Sequence, residues 1–311
     1  MMLQDRLFST HSLAWPTDWP TLFGTPAPRP LIVEIGFGYG HMLFHLAETR
    51  PEAFIVGVEV ASKPQETVER RLFRRKFVNV RVIHGYAETL LHHVLQPASV
   101  DEFHINFPDP WFKAAHAQRR VIQRDTLDAL VNRLKPNGMF YLATDITEYA
   151  EMVHEHLIAT PTLTNQLSTA WGDVRPHPIV TKYEAKALAE GRTNKYFTYR
   201  RNDLPAPAIP VMYEVEMPNI VFKTALPLTP LAKQYTERVS MSYADDIHVN
   251  VMAIYEGRDG LLFEVYVKEP TIEQHVSFAV FPHDEDRQRY TLKLGAIGYP
   301  RPTEGMHRAA A

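Results

Sequence analysis

Leu31-Ile32-Val33-Glu34-Ile35-Gly36-Phe37-Gly38-Tyr39-Gly40 is an apolar run that ends in three alternating glycines, and His41 to Thr49 beyond it carries helical spacing. A buried strand, a glycine turn and a helix open a βαβ unit. Glycines let the backbone approach a ligand closely, and the following helix presents free amides to it. The pattern continues outward. Phe54 to Val58, Val80 to Ile83, Val100 to Phe107 and Met139 to Ala143 read as further strands. Pro64 to Phe77, Ala87 to Leu95 and Ile122 to Leu134 read as helices, the last ended by Lys135-Pro136-Asn137-Gly138. This alternation predicts an α/β domain with a mostly parallel, doubly wound sheet and helices on both faces. Ligands on such sheets bind at the carboxyl ends of the strands, near the point where strand order reverses. Glu34, Glu59, Asp109 and Asp145 fall at or just past strand ends, although acids there also serve as helix caps.

The glycine spacing narrows the ligand. Dinucleotide turns use G-x-G-x-x-G, whereas the glycines here fall at 36, 38 and 40, one residue short, so hydride transfer with NAD is disfavoured. The E-x-G-x-G form is the one seen in S-adenosylmethionine-dependent methyltransferases, where no pyrophosphate must be cradled. Glu59, 23 residues after Gly36, stands where a carboxylate can accept both hydroxyls of a ribose. The second unusual segment is Phe107-Pro108-Asp109-Pro110-Trp111. Two prolines fix φ and remove donors, so Asp109 is expected in a stiff turn flanked by aromatic side chains.

Six motifs in order, Glu34 to Gly40, Gly57-Val58-Glu59-Val60, Phe107 to Lys113, Arg119-Arg120, Ala143-Thr144-Asp145 and Thr181-Lys182-Tyr183-Glu184, resemble those of the bacterial tRNA (guanine-N(7)-)-methyltransferases. The likeness spans about residues 31 to 201. It implies a Rossmann-like class I methyltransferase sheet that transfers methyl from S-adenosyl-L-methionine to N(7) of guanosine 46 in tRNA. It assigns Glu34, Gly36, Gly38, Gly40, Glu59, Tyr86 and Asp109 to the cofactor, with Asp109 also catalytic. Lys113, Asp145, Thr181, Lys182, Tyr183 and Glu184 match positions assigned to the RNA substrate. His116, Arg119 and Arg120 follow the Pro-Asp-Pro-Trp turn where phosphates would lie, in a run diluted by Ala114, Ala115, Ala117 and Gln118. Trp111, Phe107 and Tyr183 are candidates to stack on an extruded base, and Trp111 reads equally as a core tryptophan. Two departures stand out: Tyr86 where the family carries Asp or Asn, and the polar Asn106 before Phe107. A small-molecule methyltransferase on the same scaffold and a non-catalytic tRNA-binding homologue are the rival readings.

The remaining expectations are coarser. The 311 residues, 45% apolar, suffice for two cores, and three parts are expected: an N-terminal arm over 1–30, the α/β domain over 31–204 and a small β-rich accessory domain over 208–311. In the last part Met212 to Met217, His248 to Glu256, Leu261 to Lys268, His275 to Phe281 and Tyr290 to Gly295 read as strands, with a hairpin at Glu256 to Gly260, one helix near Leu231 to Val239, and disorder from Arg301 onward. The net charge of −3 is uneven: residues 1–204 carry 23 Lys and Arg against 22 Asp and Glu, residues 205–311 carry 10 against 14, so only the first part suits a polyanion. Arg70 to Lys76 adds five cations on one helix, read as a solvated face or an accessory RNA surface. There is no cysteine, and no apolar run approaches the roughly 18 to 20 residues that span a bilayer. The histidines are scattered, and pairs such as His92-His93 lie adjacent rather than at the i, i+4 spacing of a helical metal site. A cytoplasmic protein without metal or membrane contact is expected, monomer or homodimer left open.

Overall fold

The computed structural model describes residues 7–211, 217, 219–224, 228, 230, 232, 239–244, 246–286, 288–296 and 299–311. The chain divides into two compact units, Met1–Met212 and Tyr213–Ala311.

The first unit is built on an eight-stranded sheet. In chain order its strands are β1 (Leu7–Ser9), β2 (Leu31–Ile35), β3 (Phe54–Glu59), β4 (Val80–His84), β5 (Val100–Asn106), β6 (Leu134–Thr144), β7 (Leu163–Asn165) and β8 (Lys195–Arg201). They lie side by side in the order β1-β4-β3-β2-β5-β6-β8-β7. All neighbours are parallel except β8, which runs antiparallel to both β6 and β7. Every residue of β2 is buried, so both faces of the sheet are covered, as its unbroken apolar sequence requires. Around the sheet stand α1 (Trp19–Phe23), α2 (His41–Thr49), α3 (Ser62–Arg75), α4 (Ala87–Thr89, continued by a π turn over Leu90–Val94), α5 (Arg124–Arg133), α6 (Thr147–Ile158) and α7 (Lys182–Ala189). Met42, Leu43, Phe44 and Leu46 of α2 share one core cluster with Val68 and Leu72 of α3 and with Ile32, Ile55, Val80 and Val82 of the sheet. Strand order reverses between β2 and β5. Their carboxyl ends carry Glu34 with the glycine turn and Asn106 with Phe107.

Several elements differ from the sequence reading. The first residues are more than an arm: Leu7–Ser9 pair with Val82–His84 at the sheet edge. Trp15 donates its indole N–H to Thr10 O at 2.8 Å and stacks on His93 at 4.4 Å. Lys135-Pro136-Asn137-Gly138 does not end a helix and start a loop; α5 stops at Arg133 and β6 begins at once, with these residues bulged from it. The register against β5 accordingly jumps between Val100–Leu134 and Glu102–Met139, and Asn137 takes the left-handed conformation, φ 65°, that the bulge needs. The helices α6 and α7 and the strands β7 and β8 follow from no periodicity read above.

The second unit is a six-stranded antiparallel sheet in the order β10-β11-β12-β13-β14-β9. The strands are β9 (Ile220–Phe222), β10 (Val239–Tyr243), β11 (Ile247–Glu256), β12 (Leu261–Glu269), β13 (Ile272–Pro282) and β14 (Tyr290–Leu294). The hairpin at 256–260 forms as expected, closed by Gly257 N–H to Gly260 O at 2.8 Å. Residues 212–216 of the strand placed over 212–217 and most of the helix placed over 231–239 lie outside the described residues, while Met217 is in no strand and Val239 starts β10. Disorder from Arg301 onward is overturned. Helix α8 (Glu304–Ala310) buries Met306 in the core of this unit. Glu269 accepts from Thr303 Oγ1 and from Gly305 N, the latter at 3.0 Å, and Gln274 brackets Arg301 through both its backbone N–H and C=O. Among the described residues no helix is long and apolar enough to cross a membrane.

Candidate active site

The glycine turn is shaped by what surrounds it. Gly36, Gly38 and Gly40 all have positive φ (72°, 51° and 75°), and a Cβ on Gly40 would come within 2.8 Å of Val68 Cγ2. Substitution there is blocked by both backbone and packing. Glu59, at the end of β3, clasps the turn: its Oε2 accepts from Gly38 N at 2.9 Å and its Oε1 from Ala61 N at 2.9 Å.

Glu34 is sealed in the interior, 2% exposed. Burial pushes its carboxyl up to about 8; the nearby Glu59 charge adds to this, while Asn106 and the Leu43 backbone amide oppose it. Asn106 Nδ2 donates to Oε1 at 3.4 Å, and Oε2 is buried without a partner at hydrogen-bond distance. An orphaned buried carboxyl oxygen is suited to receive a cationic donor from a ligand. The polar residue at 106, an oddity in the sequence, is therefore the partner of Glu34.

The Pro-Asp-Pro-Trp turn is stiff, as its prolines require. Phe107 and Trp111, on either side of it, hold φ of 52° and 43°, a conformation rare for aromatic residues and found where surrounding contacts enforce it. Phe107 N donates to Ala143 O at 2.8 Å, and Arg120 donates from Nε to Pro110 O at 2.8 Å and from a terminal nitrogen to Trp111 O at 3.3 Å. Asp109 is left exposed at the tip. Trp111 is half-buried, with His116 edge-on at 5.6 Å and the Arg119 guanidinium 5.2 Å over its ring. Lys113 and Phe112 are exposed. Thus the basic run splits: Lys113 faces outward, whereas Arg120, expected to face RNA, is turned onto the turn itself.

Helix α7 brings the last motif to the same place. Thr181 and Glu184 form a capping box: Thr181 Oγ1 accepts from Glu184 N at 3.2 Å and Glu184 Oε2 accepts from Thr181 N at 3.1 Å. Glu184 Oε1 also accepts from the Tyr196 hydroxyl at 2.5 Å and from Arg175 Nε. Between the caps, Tyr183 reaches the glycine turn, its Cε2 being 3.7 Å from where a Cβ of Gly38 would stand. Burial raises the Tyr183 phenol, and Tyr39, Asp109 and Glu59 raise it further. The phenol therefore lies in the field of both carboxylates. Lys182 stands with its Nζ 4.1 Å from the centroid of the Tyr39 ring.

Asp145, at the end of β6, is paired with Arg192 at 2.6 Å, and Arg192 also reaches Glu190. Tyr86 is exposed, at the start of α4, behind Gly85, whose N–H donates to Glu59 O at 3.1 Å; the tip of β4 thus adjoins the end of β3. A crevice lined by Asn106, Phe107, Arg175, His177, Glu184 and Tyr196 joins the Glu34 and Glu184 networks and has room for little more than a water molecule. Asn106, Arg175, Arg192 and Tyr196 are the members of these networks given no role by sequence. Tyr196 carries no local signal, since it meets Glu184 only through β8, and Arg175 meets Glu184 from the segment before α7. Among the described residues no three His, Asp or Glu side chains cluster as a metal site.

Comparison with known proteins follows the same boundaries. A family described as "Putative methyltransferase" matches residues 28–197. The chain is 41% identical over 177 residues to a tRNA (guanine-N(7)-)-methyltransferase of Burkholderia cenocepacia, covering 56% of this chain and 67% of that protein. It is 38% identical to the protein of that name from Cupriavidus pinatubonensis (57% and 69% covered) and 39% identical to that from Cutibacterium acnes (60% and 67%).

Proposed function

The chain belongs to this methyltransferase family, and from that premise we propose that it transfers methyl from S-adenosyl-L-methionine to N(7) of guanosine 46 in tRNA, in the cytoplasm. The observation that carries the reading is the position of Tyr183: one side chain of the Thr181–Glu184 run touches the Gly38 turn and shares the field of Glu59 and Asp109. Cofactor motif and substrate motif therefore meet at one point, at the carboxyl ends of β2 and β5 where sheet order reverses.

The residues present fit the cofactor. The orphaned Oε2 of Glu34 suits the ammonium of an amino acid, the glycine turn admits close approach, and Glu59 can accept from ribose hydroxyls by exchanging its backbone donors. Tyr86 stands at the adjoining strand end, where an adenine would lie. When bound, S-adenosylmethionine supplies an electrophilic methyl on a sulfonium.

Guanine N(7) attacks with a lone pair and has no proton to lose, so no side chain must act as a base. Positioning and electrostatics are what the protein contributes. Asp109, exposed on a rigid turn, favours the positive charge that methylation leaves on the base. Trp111, Phe107 and Tyr183 surround that carboxylate as stacking surfaces for an extruded base. Glu184 is buried with its oxygens engaged by Arg175, Tyr196 and the capping box, so it fixes the start of α7 and thereby the place of Tyr183, and Lys113 and Arg119 lie where phosphates pass. Residues 213–311 lie beyond the family match and act as an accessory domain.

The test is transfer of labelled methyl into unmodified tRNA transcript by the purified protein. Label is expected in the transcript with guanosine at position 46 and absent when that guanosine is replaced. Equal label in both would remove the positional part of the reading, and label only in small molecules would remove RNA as substrate.

A further inference from the structure

Lys182 and Tyr183 are neighbours on one helix, and Tyr39 adjoins both. Tyr183 also lies in the field of Glu59 and Asp109, whereas Lys182 stands on the ring of Tyr39, whose carbonyl holds a second cation. There Arg71 of α3 donates to Tyr39 O at 2.9 Å and lies flat over the Phe44 ring at 4.3 Å. Lys182 Nζ stands over the Tyr39 ring at 4.1 Å. His41, the first residue of α2, is close enough for both cations to disfavour its own charge, after burial as the larger cause. Arg71 of α3 and Lys182 of α7 thus meet at Tyr39, and His41 of α2 follows two residues along the chain. Among the described residues none of the three forms an ion pair; Glu48, the acid felt by Arg71, is itself bonded to Arg75 at 2.5 Å.

Gathering like charges beside a ring costs free energy unless an anion completes the group. Holding Arg71 by one N–H and an aromatic face leaves it oriented rather than neutralised. We infer that His41, Arg71 and Lys182 form a subsite for a backbone phosphodiester of the RNA substrate, one step along the strand from the nucleotide held at Tyr183 and Asp109. This rests on the proposed RNA substrate. Arg71 and Lys182 supply charge; neutral His41 supplies a ring N–H. Carboxylates at Glu59 and Asp109 would then serve the cationic base, and the cations at Tyr39 the phosphate. The subsite also gives Arg71 a purpose distinct from the solvated face of α3 that carries Arg70 and Arg74.

The test is equilibrium binding of tRNA transcript by the full chain over a range of salt, alongside binding of S-adenosylhomocysteine. Lys182→Met and Arg71→Met should each lower the slope of log affinity against log salt by about one, and the double variant by about two, with affinity for S-adenosylhomocysteine unchanged. Unaltered slopes in folded variants would overturn the subsite. Loss of S-adenosylhomocysteine affinity with tRNA slopes intact would assign the patch to the cofactor carboxylate and overturn it equally. Should Arg71→Met fail to fold, as loss of its contact with Tyr39 could cause, Lys182→Met alone decides, since that side chain is exposed and caps nothing. A wild-type protein that binds no tRNA would instead remove the substrate reading and this site with it.

Discussion

Arg120 Nε donates to the carbonyl of Pro110 at 2.8 Å, so a cation that sequence order assigns to the substrate is part of the scaffold of the Pro-Asp-Pro-Trp turn. A second nitrogen of the same guanidinium reaches Trp111 O, and together they brace a segment bounded by two aromatic residues with positive φ.

Arg120→Ala should therefore loosen Asp109 rather than weaken RNA binding. The expected result is a fall in kcat of about 10- to 100-fold, from misplacement of the reacting groups, with the salt dependence of tRNA binding unchanged. Lys113→Ala combined with Arg119→Ala should do the reverse, flattening that dependence by about two units of slope. Filter binding across a salt series separates the two, and a flattened slope for Arg120→Ala would return that residue to the RNA.

Asp109 is exposed, and among the described residues no side-chain hydrogen bond or ion pair ties it to the fold. Asp109→Ala and Asp109→Asn should each lower kcat by about 10² to 10³, the range found for removing one electrostatic contact to a transition state, with circular dichroism and melting temperature unaltered. Activity within a few-fold of wild type would take Asp109 out of the mechanism.

Glu34 makes stability fall with rising pH. A carboxyl whose folded value, about 8, stands above its ordinary 4.5 binds its proton more tightly in the folded state, so the penalty for ionising it appears as pH climbs through that window. Glu34→Gln should melt higher than wild type above pH 8, by about 5 °C or more, and the gap should close toward pH 4.5. Calorimetry at a series of pH values reads this directly. A constant difference at all pH values would mean that Glu34 is already ionised. S-adenosylhomocysteine binding at pH 7 should release close to one proton, seen as buffer-dependent heat and lost in Glu34→Gln.

The capping box at Thr181 holds Glu184 in place as well as starting α7. Thr181→Ala should cost about 1 kcal/mol of stability, the usual value of an N-cap, and raise KM for tRNA more than it lowers kcat. A pure stability loss with unchanged KM would make the box structural only.

The family match ends before the second unit begins. A chain stopped after Pro207 should retain methyl transfer within about tenfold, with changed tRNA affinity or lower stability. A folded but inactive truncation would place residues 213–311 in the chemistry.

The central strands and helices were legible because burial on both faces writes them as unbroken apolar runs, Leu31–Ile35 being the clearest, and glycine and proline punctuate them. The glycine turn and the Pro-Asp-Pro-Trp turn were legible for the same backbone reasons. What was hidden is what depends on distant pairing. Leu7–Ser9 becomes a strand only because β4 offers an edge, Tyr196 reaches Glu184 only when β8 returns antiparallel to β6, and Arg192 meets Asp145 across 47 positions of chain. Side-chain direction was equally invisible: Arg119 and Arg120 are adjacent in sequence, yet one covers the face of Trp111 and the other bonds the carbonyls beneath it.

Nucleoside mass spectrometry of tRNA transcript incubated with the full chain and S-adenosylmethionine, beside the same reaction with Asp109→Ala, is the most direct check. The structure predicts 7-methylguanosine with the wild type and essentially none with the variant. Methyl transfer that yields a different methylated nucleoside, or no RNA methylation while S-adenosylmethionine is bound, would contradict the reaction assigned to this site.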